Sequence, residues 1–147
     1  MSTTEGIGGI LSASAALPAT FDEVGYAALT WTEVAEVTEL PEYGASHETV
    51  THTPLKTGIK NKFHGELDYG SLAVPMAHDA ADPGQIILKA ARVSKDEISF
   101  KMTYSDGAID YISGKVMSFT KGMSVGSVVP ATSQLEYTRE LIEVAAP

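Results

Sequence analysis

Apolar and polar residues alternate over several short runs of this chain, a period that predicts half-buried strands rather than helices. The clearest run is 98–105, where Ile98, Phe100, Met102 and Tyr104 oppose Ser99, Lys101, Thr103 and Ser105. Asp106-Gly107 follows as a hairpin turn signature. Residues 108–120 then read as the return strand, with Ile109, Tyr111, Met117 and Phe119 on one parity. Residues 132–144 predict a last strand carrying Leu135, Tyr137 and Leu141. Upstream, residues 30–40 alternate Trp31, Ala35 and Val37 against Thr32, Glu36 and Thr38. A helix competes there, because Glu33, Glu36 and Glu39 recur every three residues, but the Thr and Val content favours a strand. Trp31, the single tryptophan, is expected in the core. In 64–74 the apolar parity switches from Leu67 and Tyr69 to Leu72 and Val74 across Gly70, which predicts a bulge or a change of sheet. Residues 7–16 are small and weakly alternating, a first strand or an edge arm that Pro18 ends; a short or single-turn segment surrounds Asp22 and Gly25.

One stretch carries the helical period. Asp82 stands as N-cap, Pro83 as first helical residue and Gln85 three past the cap, a capping-box start. Ile86, Ile87, Ala90 and Ala91 follow as an apolar stripe, with Lys89 and Arg92 outside it, so about three turns of helix are expected to lie on a sheet. Residues 41–65 carry neither period. They hold Pro41, Gly44, Pro54 and Gly58 among β-formers such as Thr49, Val50, Thr51, Ile59 and Phe63. The segment is too long for a turn and lacks the Gly/Ser runs of a flexible linker. It predicts an arm that orders only on another copy of the chain; a mobile surface loop is the plainer alternative. Taken together, the elements predict a mainly β fold, an antiparallel sandwich or barrel with one flanking helix.

Composition narrows what such a domain can do. The 147 residues suffice for one domain with a real core. The absence of cysteine leaves no disulfide framework, thiol nucleophile or thiolate zinc site. The first twenty residues make a poor signal peptide, and no run approaches the roughly 20 apolar residues of a membrane span. The formal net charge is −9 and unevenly placed: all ten Lys and Arg residues lie from Lys56 onward, and Lys56, Lys60 and Lys62 cluster late in the long segment. An acidic chain without a basic stripe argues against stable nucleic-acid binding and suits a surface that DNA passes without adhering. Solubility alone also explains the charge.

Candidate chemistry is sparse. His47, His52, His64 and His78 form no HxH, HxxxH or HExxH pair; His47 and His52, five apart, give only a faint metal signal. Asp106 and Asp110 flank a turn, and Asp79 and Asp82 suit a helix start. No G-x-S-x-G, phosphate loop or dinucleotide fingerprint occurs. An enzyme is therefore not expected, nor any metal or cofactor.

In this order of features the chain resembles the tail tube proteins of long-tailed bacteriophages with non-contractile tails, and of related gene transfer agents. The resemblance covers nearly the whole length. It rests on PATFDEVGYAALTWTEVAEVTELPEYG, the long segment after it, HGELDYGSLAV, the helix start DPGQIILKAA, the ISFKMTYSDG hairpin and SGKVMSFTKGMSVGS. It is diffuse, without an invariant motif or catalytic residues to carry over. It implies one tail tube domain over 1–147, with an N-terminal arm at 1–20 and a long inter-strand loop at 41–65. Six copies would form a ring with a continuous inner β-barrel, and rings would stack into a tube that holds a tape measure protein and later passes DNA. Tail terminator and distal tail or baseplate proteins would be further partners. The location implied is the virion tail, after synthesis in the host bacterial cytoplasm.

Under that resemblance Tyr43, His47, Thr49, Thr51, His52, Leu55, Lys56, Ile59, Lys60 and Lys62 would contact neighbouring subunits. Lys56, Lys60 and Lys62 would meet acidic residues of 22–42 on an adjacent copy. Glu66, Asp68, Ser99, Thr103 and Asp110 are candidates to line the lumen. Exposed strand edges of a lone sandwich invite such pairing, and head-to-tail contacts build open stacks. Three alternatives stay open: a tube protein of a contractile tail or injection system, a ring-forming terminator or connector, and a monomeric β-barrel that binds a small ligand.

Overall fold

The computed structural model describes residues 6–123, 125–126 and 128–147. Residues 1–5 of the expected N-terminal arm lie outside them. The described residues form nine strands and two helices: β1 Ile10–Ser14, α1 Glu23–Ala27, β2 Thr32–Glu33, β3 Ser46–His52, β4 Asn61–Asp68, β5 Ser71–Ala77, α2 Pro83–Ser94, β6 Ile98–Thr103, β7 Ile109–Lys121, β8 Pro130–Tyr137 and β9 Ile142–Val144. All strand pairings are antiparallel.

The main sheet runs β2-β1-β6-β7-β8-β5, and β9 pairs with the start of β7. The long β7 joins its halves, pairing with β6 over its first six residues and with β8 from Gly114 onward. At its bulge Met117 has no partner residue on β8. Just past β2 the chain turns a corner at Glu36, whose φ is 63°. Val37 then pairs with Met76 on the outer edge of β5. The Thr38 amide donates to the Pro75 carbonyl at 3.1 Å, and the Ala77 amide to the Glu36 carbonyl at 2.9 Å. Residues 32–38 therefore join the two outer edges of the sheet, and the sheet closes into a small barrel with no long free edge there.

Alternating positions fill the barrel. Leu11, Ala13, Leu72, Val74, Met76, Phe100, Met102, Ile112, Val116 and Leu135 share one core, and α2 covers one side with Leu88 and Ala91. The predicted start of α2 is correct: the Asp82 side chain accepts from the Gln85 amide at 3.0 Å, with Pro83 in the first turn. The predicted stripe is rotated. Gly84, Gln85, Leu88 and Ala91 are the buried residues, whereas Ile86 and Ala90 are exposed. Gln85, fully buried, explains the rotation. Its side-chain amide donates to the carbonyls of Ala35 (3.2 Å) and Ala77 (2.9 Å) and accepts from the Asp79 amide (3.0 Å). It satisfies backbone groups that burial would otherwise leave unpaired.

Several expectations change. Residues 30–40 hold only the two-residue β2, because the chain leaves β1 for β5 there. Of the two readings of 7–16, the first strand holds: residues 10–14 form a strand between β2 and β6. Trp31 is half-buried, and its indole N–H donates to the Tyr26 carbonyl at 3.0 Å. In β7 the core parity is Ile112 and Val116. Tyr111 faces the other way and stacks on the buried Tyr26 of α1 at 5.2 Å. The run 132–144 divides into β8 and β9.

Candidate assembly interface

Residues 41–65 are not an irregular arm: most of them lie in a hairpin whose strands pair with each other within the chain. β3 and β4 form their own two-stranded sheet, and they pack chiefly on each other. Every residue of both strands is exposed except Gly65, which is intermediate. At the tip the Gly58 amide donates to the Pro54 carbonyl at 2.9 Å, and Gly58 has φ 66°. The parity switch at Gly70 is a change of sheet: β4 belongs to the hairpin and β5 to the barrel.

Two features fix the root of the hairpin. A Cβ on Gly70 would lie 2.3 Å from the Gly44 carbonyl oxygen, so the ingoing and outgoing backbones touch where both residues have positive φ. Beside this crossing, Asp110 Oδ2 accepts from the Tyr43 hydroxyl at 2.5 Å and the Tyr104 hydroxyl at 2.7 Å, and the two hydroxyl oxygens lie against each other. Burial, then the Asp110 carboxylate and the neighbouring Tyr104 hydroxyl, push the Tyr43 phenol far above its ordinary range. Tyr104 was not among the sequence candidates; its position on the parity of Phe100 and Met102, one residue beyond β6, was the available signal.

The hairpin carries nine of the ten expected contact residues. His47, Thr49, Thr51 and His52 lie on β3, Leu55, Lys56, Ile59 and Lys60 at the tip, and Lys62 on β4; Tyr43 is at the root. Val50 and Phe63 pair across the strands and are about half exposed, at 50% and 56%. Leu55 is fully exposed. Exposed apolar side chains grouped on one hairpin with three lysines are unusual for a surface that meets only water.

The lumen candidates separate. Glu66 and Asp68 are exposed on the hairpin, and Thr103 is half-buried at the end of β6. Ser99 and Asp110 must be withdrawn. Ser99 is fully buried and donates to the Ala16 carbonyl at 2.9 Å, and Asp110 is buried under the two tyrosines. Neither is free to face a channel. No group of three or more His, Cys, Asp or Glu side chains that could hold a metal occurs among the described residues. No helix among them is long and apolar enough to cross a membrane.

No protein-family model and no curated protein matches the chain. Solved structures do. The SPP1 tail tube superposes with a TM-score of 0.70 at 12% identity, covering 96% of this chain and 78% of that one. The tail of an empty gene transfer agent particle, determined with C6 symmetry, gives 0.69 at 13% identity over 97% of this chain and 100% of that one. The sheath–tube complex of the extracellular contractile injection system PVC gives 0.65 at 13% identity, over 97% and 92%. The chain therefore has the fold of tail tube proteins, a mainly β antiparallel barrel with a flanking helix.

Proposed function

We propose that this chain is a tail tube subunit of a bacteriophage or gene transfer agent, a structural virion protein that assembles as stacked hexameric rings into the conduit for DNA. It acts as one domain over residues 1–147. The observation that carries the reading is the hairpin of β3 and β4, a two-stranded element with an apolar and basic tip and no core of its own beneath it. Isolated hairpins of this kind are marginal in water; a neighbouring copy that covers Val50, Leu55, Ile59 and Phe63 supplies the missing burial. The likeness to the SPP1 tube and to the C6-symmetric tail supports ring and stack geometry.

In this assembly Tyr43, His47, Thr49, Thr51, His52, Leu55, Lys56, Ile59, Lys60 and Lys62 form the inter-subunit contact. Lys56, Lys60 and Lys62 face the acidic stretch 22–42 of a neighbour, where Glu36, Glu39 and Glu42 are exposed. Such pairs contribute about 0–1 kcal/mol each, so they set register while apolar burial holds the joint. Glu66, Asp68 and Thr103 remain the lumen candidates, and the net charge of −9 lets DNA pass without adhering. The tape measure protein, the tail terminator and the distal tail or baseplate proteins complete the partners. The location is the virion tail, after synthesis in the host cytoplasm, and the role is not enzymatic.

A tube inside a contractile sheath is the second reading, favoured by the likeness to the injection-system complex; a sheath protein co-purifying with the tube would establish it. The test of the first is negative-stain microscopy of the concentrated protein. Rings and tubes are expected, and Leu55→Asp with Ile59→Asp should leave unstacked rings or monomers. Single particles at every concentration would overturn the proposal, and tubes unaffected by the double substitution would overturn the hairpin's part in it.

A further inference from the structure

His47 and His64 come from opposite strands of the hairpin and lie 17 positions apart in sequence, yet their rings stand 5.0 Å apart, centroid to centroid. They are not directly opposed: His47 pairs with Leu67, and His64 with Thr49. A diagonal pair in a regular ladder has Cβ atoms roughly 7 Å apart. The register shift between His47 and Thr49 puts this pair on one face of the hairpin. Gly65 makes the bulge possible, since a Cβ there would lie 2.8 Å from Val50 Cγ2 and 3.0 Å from the Glu48 carbonyl oxygen.

We propose that His47 and His64 form a cross-strand chelate for a divalent transition-metal ion of the zinc, copper or nickel type, which fastens the base of the hairpin. Imidazole nitrogen sits about 2.0–2.1 Å from zinc, and the ring centroid about 1.1 Å further out. Two imidazoles on one ion therefore have centroids roughly 4.5 Å apart at a 90° ligand angle and about 5.2 Å apart at the tetrahedral angle. The observed 5.0 Å falls between them. The rings meet edge to face, with an interplanar angle of 78°. His47 Nδ1 faces the Gly65 carbonyl at 3.5 Å. That carbonyl can accept a hydrogen bond from Nδ1–H, which leaves the Nε2 lone pair for a metal, the arrangement common around histidine ligands. Both rings are exposed, so an ion reaches them without rearrangement of the barrel.

The other histidines lack these features. His52 lies on the opposite face of β3, with Val50. His78 Nε2 is 3.0 Å from the Lys89 ammonium, which repels a cation. Two ligands leave coordination positions open, so water or a carboxylate brought by a second copy completes the shell. A chelate spanning both strands binds the paired hairpin and not its opened form, and metal binding thereby stabilises the pairing by mass action. This does not depend on tube formation, and the test separates the two.

Full-length protein held at a concentration where it is monomeric would be titrated calorimetrically with Zn²⁺ and Ni²⁺, with Mg²⁺ as control. One transition-metal ion per chain is expected, and no Mg²⁺ binding. His47→Ala and His64→Ala should each weaken binding by about tenfold or more, the loss of about 1.4 kcal/mol, whereas His52→Ala should leave it unchanged. Amide exchange within β3 and β4 should slow on adding Zn²⁺ in the parent chain and not in either variant. The proposal is overturned if no binding is seen up to millimolar metal, if the affinity follows His52 or His78, or if Zn²⁺ leaves hairpin exchange unchanged.

Discussion

At the scale of single residues, the chain places its most heavily perturbed groups where the hairpin leaves the barrel. Asp110 accepts two phenolic hydrogen bonds on one oxygen, and the ring of Tyr137, itself buried, stands edge-on to Tyr43 at 6.3 Å. Burial is the first cause that raises the Tyr43, Tyr104 and Tyr137 phenols, and the Asp110 charge adds to it in each case. A phenol raised on folding keeps its proton in the native state at a pH where the unfolded chain has released it. The stability this represents is whole below the unfolded value near 10 and is lost as pH rises past it. The urea midpoint should therefore stay level between about pH 7 and 9 and fall steeply above about pH 10. Tyr43→Phe should cost about 1 kcal/mol at neutral pH by removing one donor from Asp110, and should make the alkaline fall shallower. An unchanged alkaline slope in Tyr43→Phe would mean that the raised phenol is not its source.

At the scale of elements, the helix and the hairpin are held in opposite ways. α2 is fixed by backbone contact. Asp82 Oδ2 accepts from both Gln85 and Ala35 amides, at 3.0 and 3.1 Å, and a Cβ on Gly84 would lie 2.3 Å from the Glu33 carbonyl oxygen. Asp82→Ala should cost about 1–2 kcal/mol. Gly84→Ala should cost about 1–3 kcal/mol by forcing the helix off the barrel; both are measurable by chemical denaturation. The start of α2 was legible in sequence because its chemistry is local, and so was the β6–β7 hairpin, where alternation meets an Asp-Gly turn. The hairpin of β3 and β4 was not. Both of its faces meet solvent in the single chain, so no one-sided apolar period marks it, and the bulge at Gly65 breaks parity midway. Two-sided burial hid the parity of β7 for the converse reason, since Tyr111 and Ser113 are covered by α1 while Ile112 and Val116 face the core. Ser99 and Asp110 looked like lumen residues because polarity in sequence does not reveal that Tyr26, Ser113, Tyr43 and Tyr104 surround them.

At the scale of the whole molecule, stability and assembly are divided between separate parts of the chain. The shared apolar core belongs to the barrel and α2, and no residue of β3 or β4 is part of it. Conversely, Val50, Leu55, Ile59 and Phe63 are exposed apolar side chains that belong to the hairpin. Because the Gly44 and Gly70 backbones touch, residues 46–68 leave and return at nearly one point, and a short turn can replace them without stretching the barrel. Excising 46–68 in favour of a Gly-Asn turn should leave a folded monomer. Its thermal midpoint should lie within about 4 °C of the parent, a change of less than about 1 kcal/mol for a chain of this size. The same variant should form no tubes. Calorimetry and microscopy on one preparation therefore read two independent quantities. A large drop in the midpoint would mean that the hairpin supports the barrel after all. Normal tubes would place the stacking contact elsewhere, with the exposed Met117 and Met123 along and beyond β7 the next apolar positions to vary.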